Sequence, residues 1–547
     1  MTVSFASAWA FPDRPAPLAG VHIGTSPDNL DRFVPEQEFP LTYTIDTHPP
    51  KPGHYYYAPY QHHITIDGLE PDTAYYYVPV IGTREHYQSD PMSLATKPIR
   101  ESMQVENVQV ATKIDNNNEE QEDNTKEAEE HDRRMMVQDL LIEFDEHAAP
   151  VFNEHGRRLA PPPYNPSARE CIDAHRPRHF KTAPASEQDE NFYPMIFGLI
   201  GDIGQFEHSI ETLEHMRSHM QGIQAVVLVG DIAYPGQDGR LWDTFFDFLD
   251  DHSCFDEIPL QIAAGNHDID MQPGRNDIFL AYETRFRMPQ VHPPELGLFE
   301  GNLEDRGVLD DGRLNMDAPP YPLPYEWGNS YYAFTYGPAR HVVVNAYSDM
   351  SPGSTQYTWL EEELASVDRV RTPWVLLTIH VPLYNTFAVH HHDPQIFAAR
   401  EHLEPLLVKY HVNVVFNGHI HAYQRTEYVA FNETTPTGPM HITIGAGGRN
   451  ADAPFQNEEP EPWIAKRDES MYGYGRFKIC NATHAEWKWV PLSPSDEHDF
   501  NVVKGHTDVH LPVLDHDRLT IENQYHVQLE NERQRRRKRR LSKTGSS

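Results

Sequence analysis

Cysteine is scarce: Cys171, Cys254 and Cys480 are the three in 547 residues. They exclude a disulfide framework and a four-thiolate zinc site, since at most one bridge can close and one thiol is left over. Long apolar runs are missing too. No stretch approaches the roughly 18 residues that a transmembrane helix needs. The opening Met1-Thr2-Val3-Ser4-Phe5 has no basic lead and no sustained apolar core, so no signal peptide is visible. Positive charge is the third shortage, with 45 Lys and Arg against 82 Asp and Glu and a formal net charge of −37. That field repels a polyanion and excludes nucleic acid as a stable partner. A phosphorylated substrate would need local positive charge to approach, and bound metals could provide it.

The chain divides by composition. Residues 1–98 are expected to be all-β. His63-Ile64-Thr65-Ile66 alternates, Asp67-Gly68 reads as a turn, and Leu69 to Tyr77 as a second strand. Residues 99–193 hold an acidic stretch, Asp115 to Asp132, and the run Pro161-Pro162-Pro163. Such a segment cannot bury enough apolar surface to offset its ordering entropy, and is expected to be a solvated insertion. Residues 194–500 alternate short apolar runs with amphipathic helices at Glu207–Met220, Gln356–Val367 and Gln395–Tyr410, an α/β pattern. Pro289–Pro324 reads as a long loop within it. Residues 501–547 are expected to be a tail, with a basic cluster from Arg533 to Arg540. Asn432-Glu433-Thr434 and Asn481-Ala482-Thr483 are glycosylation triplets, meaningful only for a secreted glycoprotein and otherwise ordinary surface asparagines.

Five apolar runs in the third stretch each end in a polar motif. Ile196–Ile200 leads into Gly201-Asp202-Ile203-Gly204, and Ala225–Val229 into Gly230-Asp231-Ile232-Ala233-Tyr234. Ile258–Ala264 leads into Gly265-Asn266-His267-Asp268. Trp374–Ile379 ends at His380, and Val412–Phe416 leads into Gly418-His419-Ile420-His421. Buried parallel strands read as continuous apolar runs, and ligands gather beyond their carboxyl ends. Singly, each residue has a bland reading. Asp202 alone is best taken as the N-cap of the helix that starts near Glu207, and each histidine as a satisfied structural residue. Together they form a set of hard donors sufficient for two metal ions. One of the two aspartates can bridge two cations at the roughly 3.5–4 Å spacing of two-metal sites. A Tyr234 phenolate favours a trivalent ion. The Asn266 amide adds no charge, and the adjacent His267 is free to face substrate. His419 and His421 alternate about Ile420 and so point to one side of an extended segment. His380 completes a nitrogen and oxygen set suited to iron, zinc or manganese.

These motifs, in the order GDxG, GDxxY, GNH(D/E), VxxH and GHxH, resemble those of the purple acid phosphatases within the calcineurin-like metallophosphoesterases. Ser354–Leu360, Pro382–Asn385 and Gly445–Gly448 are similar to family segments as well. Leu69-x-Pro71-x-Thr73-x-Tyr75 resembles the tyrosine corner of a fibronectin type III-like sandwich. The resemblance implies an α+β multidomain chain: an N-terminal fibronectin type III-like β-sandwich, then an α/β (βαβαβ, calcineurin-like) phosphoesterase domain. It also implies an acid phosphatase that hydrolyses phosphate monoesters by attack of a metal-bound hydroxide at a dinuclear Fe(III)–M(II) centre, where M is zinc, iron or manganese. By motif, Asp202, Tyr234 and His421 would hold Fe(3+). Asn266, His380 and His419 would hold the divalent ion, with Asp231 bridging. His267 would bind phosphate or protonate the leaving group, and His390, in the run His390-His391-His392, is near a position that often contacts substrate. Leu377 departs from the pattern's valine, and Gln424 stands where a glutamate often follows Tyr423, removing a charge expected near the metals. A phosphodiesterase or nucleotide-cleaving enzyme, and a non-catalytic adhesion or scaffold protein, are the competing readings. The family is commonly secreted or vacuolar. The residues leave compartment and oligomeric state open, a homodimer included.

Overall fold

The computed structural model describes residues 1–9, 18–46, 55–82, 151–152, 158–159, 177–185, 192–270 (237 and 254 apart), 278–289, 315–492 (452 apart), 517–531 and 534–535. Asp115–Asp132, Pro161-Pro162-Pro163, Cys171, Cys254 and most of the Arg533–Arg540 cluster lie outside them. Among the described residues no helix is long and apolar enough to cross a membrane.

The amino-terminal part is built from β1 (Thr2–Trp9), β2 (Leu18–Gly24), β3 (Arg32–Pro35), β4 (Pro59–Thr65), β5 (Ala74–Gly82) and β6 (Arg178–Lys181). β1 pairs with β4, and a four-stranded sheet runs β6-β5-β2-β3, all antiparallel. Period-two alternation places Ile64 beside Val21, Ile23, Tyr75 and Phe180 in one apolar core. The Glu70 amide donates to the Tyr75 hydroxyl at 2.9 Å, so the tyrosine ties back to the chain just upstream. β6 corrects an expectation, because it lies inside the segment read as an insertion. Arg178-His179-Phe180-Lys181 offers a single apolar residue. Only its pairing with β5, which buries Phe180, makes it a strand.

The larger part is two packed sheets. In the first, β7 (Met195–Ile200), helix α1 (Glu207–Ser218), β8 (Ala225–Leu228), helix α2 (Gly239–His252) and β9 (Leu260–Ile262) form a parallel βαβαβ unit. In the second, β10 (Tyr332–Tyr336) and β11 (Ala339–Val344) form a hairpin, followed by helix α3 (Thr355–Ser366) and β12 (Trp374–Ile379). The helical segments Pro394–Ala398, Ala399–Leu403 and Glu404–Lys409 then lead to β13 (Val414–Asn417), β14 (Tyr423–Ala430) and β15 (Met440–Ile444). β11, β12, β13 and β15 run parallel. The middle of the three helical segments is a π turn. Finally β16 (Tyr472–Ile479), β17 (His484–Leu492) and β18 (Arg518–Glu522) extend the first sheet, in the order β9-β8-β7-β16-β17-β18.

Burial on both faces explains the continuous apolar runs. Along β7, Phe197 and Leu199 enter the layer between the sheets with Val227, Val343, Leu376, Val414 and Phe416, while Ile200 faces the outer, helix-covered core. Capping follows local chemistry: Ser354 starts α3 by accepting from the Tyr357 amide at 3.2 Å, and Asp238 starts α2. Phe206, not Asp202, occupies the cap of α1, which leaves the Asp202 carboxylate for other work. β18 is the second correction, since it lies within the expected tail. It is secured at both ends. Asp517 accepts from Tyr423 at 2.6 Å and pairs with Arg425, and buried Asn523 donates to the carbonyls of Pro373 and Ala482. Those contacts join segments far apart in sequence and leave no periodic trace.

Candidate metal centre

Both sheets end their parallel strands at one place. β7, β8 and β9 deliver Asp202, Asp231 with Tyr234, and Asn266 with His267, while β12 and β13 deliver His380, His419 and His421. The turns that carry them are tight. Of ten non-glycine residues with φ between 50° and 68° among the described residues, Asp202, Asp231, Tyr234 and His419 are four. Such conformations persist where surrounding structure over-determines them. Two neighbouring glycines are required by close approach. A Cβ on Gly265 would lie 2.1 Å from Asp231 Oδ1, and one on Gly418 would lie 2.3 Å from Asp202 Oδ2.

The seven expected ligands all converge. Asn266 Oδ1 lies 3.2 Å from His380 Nε2 and 3.0 Å from His419 Nδ1. Tyr234 Oη lies 3.0 Å from His421 Nε2 and 3.4 Å from Asp202 Oδ1. Asp231 sits between these groups, with Oδ1 3.4 Å from His380 Nε2 and Oδ2 4.0 Å from His267 Nε2. His390 lies beside them, its ring centred 4.0 Å from that of His419, whereas half-buried His391 faces Gln456.

Several partners are not evident in the motifs. Asp268 is fully buried and accepts from the amides of Asp231, Ile232 and Gly265 at 2.9–3.0 Å, so it shapes the turn that aims Asp231. Burial first, and then the nearby Asp231 charge, hold its carboxyl well above the usual range. Asp393 Oδ2 bonds both His419 Nε2 at 2.8 Å and His390 Nδ1 at 3.0 Å. Asn450 bonds His421 Nδ1, and Tyr347 donates to Asn266 Oδ1 at 3.1 Å. The one signal for Asp268 was its place in Gly265-Asn266-His267-Asp268; Asp393 and Asn450 gave none. Gln424 differs from expectation. Its amide ties Thr386 to the Tyr384 carbonyl, so it acts as a strand-to-loop clamp.

The donor set fits cations. His380 Nδ1 bonds the Val229 carbonyl, 2.8 Å away, which makes it the protonated nitrogen and leaves Nε2 facing Asp231 and Asn266. His419 Nε2 is likewise committed to Asp393, leaving Nδ1 facing Asn266. The His419 Nδ1 electron pair and the Asn266 amide oxygen thus converge beside His380 Nε2, an arrangement that favours a positive charge among them, whether a proton on His380 or a metal ion that displaces it. The site's own field agrees. Burial opposes ionisation of Asp231, yet His380 and His267 overcome it and hold the carboxyl well below the usual range. Burial also lowers His380, but Asp231 and its hydrogen bond win and raise it to about 9. Burial alone dominates at His419, which falls to about 3 and stays neutral. Tyr234 is held protonated by burial and by both aspartates, so a cation must displace a proton to bind there.

Residues 195–423 match the calcineurin-like phosphoesterase family, and 438–498 match the iron/zinc purple acid phosphatase-like protein C family. Purple acid phosphatase 22 of Arabidopsis thaliana is 32% identical over 311 residues, covering 57% of this chain and 62% of that protein. Purple acid phosphatase 1 of Ipomoea batatas is 33% identical over 338 residues, covering 58% and 63%. Phosphoenolpyruvate phosphatase of Allium cepa is 30% identical over 393 residues, covering 69% of each chain. The chain belongs to the purple acid phosphatases. It spans less than two thirds of the length of the Arabidopsis and Ipomoea relatives. The solved purple acid phosphatase PPD1 of yellow lupin has the same fold, with a TM-score of 0.57 at 18% identity over 95% of this chain and 72% of that one. Beyond the family, then, the mixed α/β architecture with its calcineurin-like part is established.

Proposed function

We propose that this purple acid phosphatase hydrolyses phosphate monoesters at a dinuclear centre of Fe(3+) and a divalent ion. The observation that carries the reading is the split of seven donors into two triads about Asp231. Asp202, Tyr234 and His421 would hold the ferric ion, and Asn266, His380 and His419 the divalent one, with zinc, ferrous iron or manganese as its candidates. A relative named Fe(3+)-Zn(2+) purple acid phosphatase 12, from Arabidopsis thaliana, supports that pairing. When bound, the pair would polarise the phosphoryl oxygens and make a hydrolytic nucleophile available near neutral pH.

The chain's own groups supply the rest. The His267 amide donates to Asp231 Oδ1 at 2.8 Å, which fixes the backbone, while its ring reaches the accessible rim 3.7 Å from exposed Asp317. His267 would hold the phosphoryl group or give its Nε2 proton to the leaving alkoxide. His390, held by Asp393 beside His419, would contact substrate. The Tyr75 hydrogen bond and the antiparallel sheets support a fibronectin type III-like sandwich at the amino terminus.

Metal analysis with a substrate panel tests the proposal. The expected outcome is two metals per chain, one of them iron, with monoesters turned over faster than diesters. Clear preference for diesters would overturn the substrate class. A protein with no metal and no activity after reconstitution would overturn the enzyme.

A further inference from the structure

One cation at the rim of this site has no assigned role. Arg449 is half-buried and, among the described residues, its guanidinium has neither an ion pair nor a hydrogen bond, in a chain with 82 acidic residues. Its position is nonetheless tightly set. The Arg449 amide donates to the Asp202 carbonyl at 3.1 Å, and the Gly447 amide to that of Gly201 at 3.0 Å, so the segment is fastened to the turn that carries a ligand. The guanidinium lies 4.7 Å from the Phe206 ring centre and 5.5 Å from that of Tyr234. Tyr234 in turn lies tilted against His267, with ring centres 4.5 Å apart.

We propose that Arg449 receives a second anionic group of the substrate, so that the site selects phosphomonoesters whose alcohol carries a carboxylate or another phosphate. This rests on the phosphatase reading above. The scissile phosphoryl group would occupy the donor cluster beside His267, and the leaving group would extend along Tyr234 towards the guanidinium. Arginine suits such recognition, since it is permanently charged and its planar fork matches a carboxylate or phosphate. The aromatic faces of Phe206 and Tyr234 hold the plane and limit its hydration, which strengthens a charge-assisted contact. In so acidic a chain an extra negative charge on the substrate is otherwise penalised, so a cation at the rim decides whether such a substrate can approach. The alternative is that Arg449 only supports the Tyr234 ring. Its removal would then weaken all anions alike.

Two non-hydrolysable probes separate these cases. Methylphosphonate carries one anionic group and phosphonoacetate adds a carboxylate. Their affinities for the metal-loaded full chain are measured by calorimetry in the native protein, Arg449→Gln and Arg449→Lys. Phosphonoacetate is expected to bind the native protein at least about tenfold more tightly, the effect of one charge-assisted contact. The ratio is expected to approach unity in Arg449→Gln and to be intermediate in Arg449→Lys, which keeps the charge but loses the fork. Equal native affinities, an equal loss of both probes in Arg449→Gln, or binding of neither probe would each overturn the assignment. Hydrolysis of p-nitrophenyl phosphate is measured alongside. If it is absent, the phosphatase reading fails, while the affinity ratio still decides Arg449.

Discussion

Tyr234 joins three demands: a strained backbone, a phenol kept protonated by burial and two aspartates, and a hydroxyl within reach of His421 and Asp202. If a ferric ion displaces that proton, the oxidised protein is expected to be purple or pink through phenolate-to-iron charge transfer. Tyr234→Phe is expected to lose the band and keep the fold, since one hydroxyl leaves an unchanged ring; a visible spectrum with metal analysis checks this. A metal-replete native protein without the band would indicate two divalent ions. His267→Ala is expected to keep its metal and lose about 10²-fold or more in turnover, the usual effect of removing a positioned acid or charge stabiliser. Loss of metal in that variant would place His267 among the ligands. At this scale the sequence was most informative where a chemically specific residue follows an apolar run, as Asp231 and Asn266 do. Asp393, Asn450 and Arg449 were not legible, because a partner that reaches its target through folding has no fixed spacing from it.

Between strand and ligand lies a turn, and there glycine governs the geometry. Gly418→Ala would drive its methyl group into Asp202 Oδ2. A stability loss of about 1–3 kcal/mol is expected, as for an overpacked core, together with reduced metal content, seen as a lower Tm and fewer metals per chain. A different contact joins the amino-terminal part of the chain to α2. Buried Arg285 pairs with Asp243 at 2.7 Å and donates to the hydroxyls of Tyr56 at 2.7 Å and Tyr43 at 3.1 Å. Arg285→Ala leaves Asp243 with the Tyr56 hydroxyl but without its cation. Stability is expected to fall by about 3–5 kcal/mol, the scale of a broken buried pair, with protease cleavage between the two parts appearing first. The strands of the phosphoesterase part were readable because burial on two faces produces unbroken apolar runs. β6 and β18 were not, since each is short, mostly polar, and made a strand by its neighbour.

For the molecule as a whole, burial sets opposing responses to acid. His63 Nε2 donates to the Thr284 carbonyl at 2.9 Å across the same junction, and burial holds the ring's pKa down to about 4. The unfolded chain therefore takes up this proton first, and the stability due to neutral His63 is complete above about pH 6.5. It is lost as pH falls towards 4. Asp270 is the reverse: burial raises it to about 7, so its contribution is complete below about pH 4 and is lost as pH rises through 7. Relative to the native protein, the Tm of His63→Gln is expected to improve as the buffer goes from pH 7 to 4, and that of Asp270→Asn as it goes from 4 to 7. Parallel trends in the two variants would contradict these assignments. The packing of the two sheets has a further consequence. Each proposed triad takes donors from both sheets, so the layer of Leu199, Val227, Val343, Leu376 and Phe416 would act as a shim whose thickness sets the spacing of the donors in both triads. A methylene removed from that layer would be felt as a change in which metal is preferred, at a distance from any atom that touches it.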